Sequence, residues 1–245
     1  MSISLNNKIF KRFIIVLIII LIIFMGGYLF LQLRTYSADE QANEAMQSSS
    51  VSTNNNTVIF EPENALANLV LYQGALVEPE AYAVFATMLQ NKGIRVFIPE
   101  MPLNLAILNT SAFEDIKDAH PSEKQWWIGG HSLGGASASI YASENIEAID
   151  GIFFLASYPS SGSDLSHIDQ PVISLHATND DIIDYDNYQD SMNLLPPHTN
   201  FIEIEGGNHS NFAHYGFQSG DGESTITREE QLDKVVQTLI DHIID

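Results

Sequence analysis

Residues Trp126–Gly135 read WWIGGHSLGG, an apolar strand pattern that runs straight into Gly130-His131-Ser132-Leu133-Gly134 and then into the small-residue stretch ASASIYAS. A serine flanked two positions away on each side by glycine, after a strand and before a helix, is the pattern of a nucleophile elbow. The turn is so tight that Gly130 and Gly134 have no room for side chains. Ser132 is therefore expected to project its hydroxyl above a sheet. The free N–H groups and dipole of the following helix favour negative charge at that spot. The same letters could form a plain structural turn, but the flanking strand and helix favour the elbow. His131 is expected to point away from Ser132, as a packing or hydrogen-bonding residue.

A serine hydroxyl is a weak nucleophile at neutral pH and needs a base, with partners following in the order Ser, Asp or Glu, His. Downstream, PVISLHATNDDIID reads as a strand ending in a polar loop, and FIEIEGGNHSNF as a strand ending in Gly-Gly-Asn-His. Strand ends are where an open parallel sheet places its site. Asp180 or Asp181 would orient the imidazole of His209, which would take the proton of Ser132 and return it to the leaving group. Acyl transfer also requires two N–H donors for the developing oxyanion. One is expected from the backbone of Leu133. The other is expected from the loop Gln73-Gly74-Ala75-Leu76-Val77, at Ala75, with a plain strand-to-helix turn as the less favoured alternative. His209 and His214 with Asp221 nearby resemble a metal site only loosely; no H-E-x-x-H motif accompanies them, and no metal is expected.

The rest of the chain after position 57 alternates short β-branched runs with amphipathic stretches, as strands joined by crossover helices do. Strands are predicted at 58–60, 69–72, 94–98, 125–128, 151–156, 172–176 and 201–204, several of them apolar enough to be covered on both faces of a mainly parallel sheet. Helices are predicted at 79–91, near 105–119, at 132–144 and at 228–244. In the last, Thr227 and Glu230 form a capping box. The glycine-rich stretch 210–227 is long for a connection and reads as a candidate flap. The short link 157–170 leaves no room for a cap domain, which predicts an open, shallow pocket.

Ahead of this region, Phe13–Leu33 is apolar but for Gln32, long enough to cross a hydrocarbon core of about 30 Å at ~1.5 Å per residue. It reads as a retained anchor. A cleaved signal peptide is the alternative, with Tyr36-Ser37-Ala38 a poor cleavage site. Lys8, Lys11 and Arg12 precede the span, so the positive-inside rule predicts a cytoplasmic N-terminus (residues 1–12) and an extracytoplasmic domain. Residues 34–57, polar and ending in SSSVSTNNNT, read as a flexible tether of roughly 25–30 Å. All 31 acidic residues but only six of the ten basic ones lie beyond Arg34, a formal −25 that disfavours nucleic acid and anionic membrane surfaces as partners. With no cysteine, disulfides, thiolate metal sites and a cysteine nucleophile are excluded.

Residues 58–245 resemble the alpha/beta-hydrolase families that include bacterial dienelactone hydrolase-like and small esterase-like proteins. The likeness is carried by YQGALVEPEAY, MPLNLAI, GGHSLGG, HATNDD and GGNHSNFAHYGFQSGDG. It implies an α/β-hydrolase fold, hydrolase chemistry on a small-molecule ester substrate, and no cofactor. In these families the loop after the sixth predicted strand runs as G-T-x-D, which the resemblance aligns with Asp180. Dienelactone hydrolases proper use a cysteine nucleophile; a chain with Ser132 and no cysteine resembles the serine members instead. The expectation is a membrane-anchored carboxylic-ester hydrolase with a Ser132, Asp180, His209 triad. Amide or peptide hydrolysis by the same triad, and a catalytically silent binding domain on a membrane stalk, are the alternatives.

Overall fold

The computed structural model describes residues 2–244, with side chains from Phe10 onward. The chain forms two compact units, Met1–Thr35 and Tyr36–Asp245. In the first, α1 (Ser2–Arg34) contains a 25-residue stretch, Phe10–Arg34, with a mean hydropathy of 3.1. It is long and apolar enough to cross a membrane. Of the basic segment read at 1–12, Met1 lies outside the described residues, as does the side chain of Lys8.

The second unit is built on an eight-stranded sheet of order β1-β2-β4-β3-β5-β6-β7-β8. The strands are β1 (Val51–Asn54), β2 (Thr57–Phe60), β3 (Ala67–Tyr72), β4 (Ile94–Pro99), β5 (Trp126–His131), β6 (Gly151–Leu155), β7 (Val172–Ala177) and β8 (Asn200–Ile204). From β4 to β8 all pairings are parallel, while β1 and β2 pair antiparallel at one edge. The buried parallel strands explain the near-continuous apolar runs, because each faces a core on both sides. In β3, Leu69 and Leu71 enter one core with Phe85 and Leu89 of α3 (Ala83–Gln90) and Leu232, Val235 and Leu239 of α7 (Arg228–Ile243). Val70 and Tyr72 enter the other, with Phe113 and Ile116 of α4 (Ala112–Ala119) and Ala138 and Tyr141 of α5 (Leu133–Glu144). That two-residue alternation is what the pleat dictates. The chain leaves β3 toward β4 on one side and returns as β5 on the other, so a crevice opens at the carboxyl ends of β3 and β5.

The predicted tether is a correction. Residues 36–57 belong to the folded unit, with α2 (Glu40–Ala45), β1 and the start of β2 inside it. Polar composition suggested disorder, but long-range partners order the segment. Tyr36 donates to Leu76 and accepts from Glu78, Asp39 caps α2 by accepting from Ala42, and Ala42 is fully buried. The helix predicted near 105–119 is shorter: turns occupy Pro102–Asn104 and Ala106–Leu108, and α4 begins only at Ala112. A further helix, α6 (Tyr185–Ser191), had no apolar stripe to reveal it, since only Tyr188 and Ser191 are buried.

Candidate active site

β5 ends at His131 and α5 begins at Leu133, leaving Ser132 alone in the turn with φ 52° and ψ −125°. This positive φ is costly for a residue with a side chain, roughly 1–3 kcal/mol. The surroundings hold it there: Ser132 N–H donates to Leu155 O at 2.9 Å, and Ser157 Oγ–H donates to Ser132 O at 2.6 Å. Gly134 explains why the motif needs glycine, because a Cβ there would meet Tyr72 O at 2.1 Å. β3 thus packs backbone to backbone against the helix start. Ser132 occupies the N-cap position of α5, yet its side chain makes no capping bond. Among the described residues, the N–H groups of Leu133 and Ala75 have no acceptor.

His209 follows β8, and its Nδ1 lies 2.7 Å from Asp180 Oδ2 at the end of β7. Both side chains are buried, His209 at 1% and Asp180 at 0% exposure. Asp180 Oδ1 accepts the N–H groups of Ile182 and Ile183, each at 2.9 Å, which fixes the carboxylate in its loop. An ionised carboxylate here accepts a hydrogen bond from Nδ1–H, so Nε2 carries the lone pair; Nε2 is buried without a protein partner. Asp181 is exposed and lies outside this pairing. Ser132 and His209 line the same cavity of about 280 Å³, together with Leu133, Ala156, Ile182 and Ile183. Ala156, at the end of β6, is a second lining residue in a strained left-handed conformation, φ 44°.

Three supports were not singled out from sequence. Asp221 accepts the N–H groups of His209 and Ser210, at 3.2 and 2.8 Å, and the Ser210 hydroxyl at 2.5 Å. The stretch expected as a flap is thereby tied under His209, with His214 and Asp221 both buried. On the other side, the Tyr82 hydroxyl accepts Gly74 N–H at 2.8 Å and is hydrogen-bonded to His131 Nδ1 at 2.9 Å. His131 therefore faces inward beside His209, with ring centroids 4.5 Å apart. Burial pushes its pKa well below the ordinary imidazole value, and neighbouring His209 pushes it the same way. Finally, Asp39 Oδ2 meets His214 Nδ1 at 3.0 Å and Arg228 Nη1 at 2.8 Å, bracing α2 against the 206–228 region.

An open, mainly parallel sheet with a strained serine at its switch point, and a buried Asp–His pair on the loops after its last two strands, defines the α/β-hydrolase class. The sequence matches the model of the alpha/beta hydrolase family over residues 68–233, about two-thirds of the chain, and the protein belongs to that family. Among solved structures, carboxylesterase CesB from Bacillus subtilis superposes with a TM-score of 0.60 at 11% identity, covering 83% of this chain and 94% of that one. Est1E from Butyrivibrio proteoclasticus with bound ferulic acid gives 0.58 at 13%, covering 78% and 96%. A dienelactone hydrolase from Anabaena variabilis gives 0.53 at 12%, covering 76% and 91%. At these identities the likeness is one of fold. A comparison with curated proteins finds no significant match.

Proposed function

We propose that this protein is a serine hydrolase that cleaves carboxylic esters through an acyl-enzyme, held at the membrane by α1 with its hydrolase domain, residues 58–245 and the preceding brace, outside the cytoplasm. The observation that carries the reading is His209: locked through Nδ1 to buried Asp180, it has an unpartnered Nε2 and lines the same cavity as Ser132. In the reaction, Nε2 removes the Ser132 hydroxyl proton as Oγ bonds to the ester carbonyl carbon. The carbonyl oxygen gains negative charge and is received by the N–H groups of Leu133 and Ala75. The intermediate collapses by breaking the bond to the alcohol oxygen, which takes the proton from the His209 imidazolium and leaves. Water then repeats the sequence on the acyl-serine, giving its proton to Nε2 and releasing the acid. Asp180 stays ionised throughout and stabilises the imidazolium. Structural neighbours described as a carboxylesterase and as a protein holding ferulic acid agree with an ester substrate.

The test is labelling by a fluorophosphonate probe alongside turnover of an activated ester by the full chain. Wild type is expected to label and turn over. Ser132→Ala is expected to lose labelling and retain only the small residual rate that binding and the oxyanion donors give. Unchanged labelling of folded Ser132→Ala would sink the triad.

A further inference from the structure

The hydrolase unit begins at Tyr36, and Tyr36 sits at the carboxyl edge of the sheet, the edge that carries Ser132. Its N–H donates to Leu76 O at 2.7 Å, and Leu76 N–H donates to Asn104 O at 2.8 Å, so three chain segments lie side by side. Leu76 is in the loop after β3 and Asn104 in the segment after β4. The Tyr36 ring packs on Tyr215, centroids 5.3 Å apart, in the stretch after β8. Exposed apolar side chains gather at the same edge. Among the described residues of this unit, Leu103, Ile107 and Leu108 after β4, Tyr185 after β7 and Phe217 after β8 are 38% to 53% exposed. The other large apolar residues left exposed, Leu66, Phe201 and Ile244, lie away from it. The segments around Tyr36 are also free of charge: no Asp, Glu, Lys or Arg falls in 70–77, 101–113 or 206–220, although Glu78, Glu100, Glu114 and Asp221 stand just outside them. On a domain of formal −25, an apolar and uncharged rim marks a contact surface. Ile107 of this rim also lines a compartment of about 530 Å³ that shares Leu133, Ala136 and Tyr158 with the Ser132 cavity.

We infer that this rim docks on the bilayer that α1 spans, and that esters dissolved in that bilayer reach Ser132 across it. This rests on α1 as a membrane span and on Ser132 as the nucleophile. Consecutive Cα atoms are about 3.8 Å apart, so covalent reach keeps Tyr36 within about 8 Å of Arg34, where the apolar span ends. Two hydrogen-bonded backbone spacings of about 5 Å each then separate Tyr36 from Asn104. The headgroup layer on each side of a bilayer is itself roughly 5–7 Å thick. Chain connectivity alone therefore holds Leu103 and its neighbours within reach of lipid. The anchor supplies the local concentration, and the rim has only to orient the domain. Acidic charge gives no attraction to headgroups, so the contact is apolar, with Leu103, Ile107, Leu108 and Phe217 entering the interface. It holds on either leaflet.

The chain has no cysteine, so single probes can be placed by substitution. Full-length Leu108→Cys, Phe217→Cys and Leu66→Cys, each carrying a nitrobenzoxadiazole label, are reconstituted in phosphatidylcholine vesicles. Leu66 precedes β3, at the opposite edge of the sheet. Labels at 108 and 217 are expected to emit blue-shifted and to be quenched by nitroxide lipid, at low and high salt alike. The label at 66 is expected to stay in water. Labels in water at 108 and 217, or lipid contact at all three positions, overturn the inference. Release of the chain by alkaline carbonate removes the anchor reading and the inference with it. For the lipid route, Leu108→Ser/Phe217→Ser is compared with wild type on a long-chain ester dissolved in the vesicles and on a water-soluble acetate ester. Turnover of the first should fall about tenfold, because two apolar contacts with lipid are lost, while the second stays as it was. An equal loss on both overturns the route. If wild type neither turns over nor labels with fluorophosphonate while the probes at 108 and 217 report lipid, the hydrolase reading falls and the route with it, and the docking face stands.

Discussion

Asp180 and Asp181 are adjacent in the chain and opposite in environment. The first is sealed against His209 and holds two backbone N–H groups, while the second faces solvent. Asp180→Asn keeps the shape but favours the wrong histidine tautomer, and is expected to lower kcat by about 10⁴-fold. Asp181→Asn is expected to cost under about tenfold, through the long-range field alone. Measuring kcat on one activated ester for both folded variants decides between them; a large loss at Asp181 with a normal Asp180 variant would reverse the roles. Tyr82→Phe tests a support of a different kind. It leaves Gly74 N–H and His131 Nδ1 buried and unpaired, a cost of about 1–3 kcal/mol in urea unfolding. Because Gly74 precedes Ala75, kcat should fall as well, by about tenfold. The positions of Ser132, His209 and the Asp180-Asp181 pair were legible in the sequence, because each follows a strand and the elbow has its own glycine spacing, whereas the preference for Asp180 came only from the family resemblance. The roles of Tyr82 and Asp221 were not, and His131 was legible only as a packing or hydrogen-bonding residue, without its partner. They depend on which loops meet across the crevice, and only the tertiary fold decides that.

Among the elements, α2 and the residues before it depart furthest from what composition implied. Asp39 accepts from Ala42, His214 and Arg228, linking a segment next to α1 with residues far along the chain. Burial raises the Asp39 pKa, but Ala42 N–H, His214 and Arg228 together outweigh it and hold the carboxyl below its ordinary value. Asp39→Ala is expected to destabilise the unit by on the order of 2 kcal/mol in urea unfolding, and Asp39→Asn by less, because asparagine still caps α2. A loss within experimental error for Asp39→Ala would show the brace to be idle. His214 and His131 set the pH response. Burial lowers the pKa of each below the ordinary 6.5, with Arg228 adding to the effect on His214. The folded chain refuses protons that the unfolded chain accepts, so stability is highest above about pH 6.5 and declines as pH falls below it. Urea midpoints at pH 8, 6 and 5 should decrease in that order, and a midpoint that rises on acidification would contradict the assignment. Helix α6 escaped a reading by periodicity for a related reason: YDNYQDS owes its helix to the Asp184 cap and one buried tyrosine, not to an apolar stripe.

For the whole molecule, the sequence separates cleanly into an apolar helix flanked by Lys8, Lys11 and Arg12 and an acidic domain of the alpha/beta hydrolase family. The proposed orientation predicts that a tag at the C-terminus is reached by protease or impermeant reagents on intact cells. Protection that ends only on lysis would reverse it. Under that proposed orientation, where the folded unit starts governs how the hydrolase domain could be released from the membrane. Its first ordered contacts are made by Tyr36, immediately beyond Thr35, and the next by Ser37, Ala38 and Asp39. A signal-type cut after Ala38 would discard Tyr36, with its bonds to Leu76 and Glu78 in the loop that carries Ala75. A cut beyond Asp39 would also strip the partner of His214 and Arg228. Release of a fully braced enzyme is thus confined to scission at or before the Thr35–Tyr36 bond. The same protease acting a few residues later would solubilise the protein and weaken it in one event.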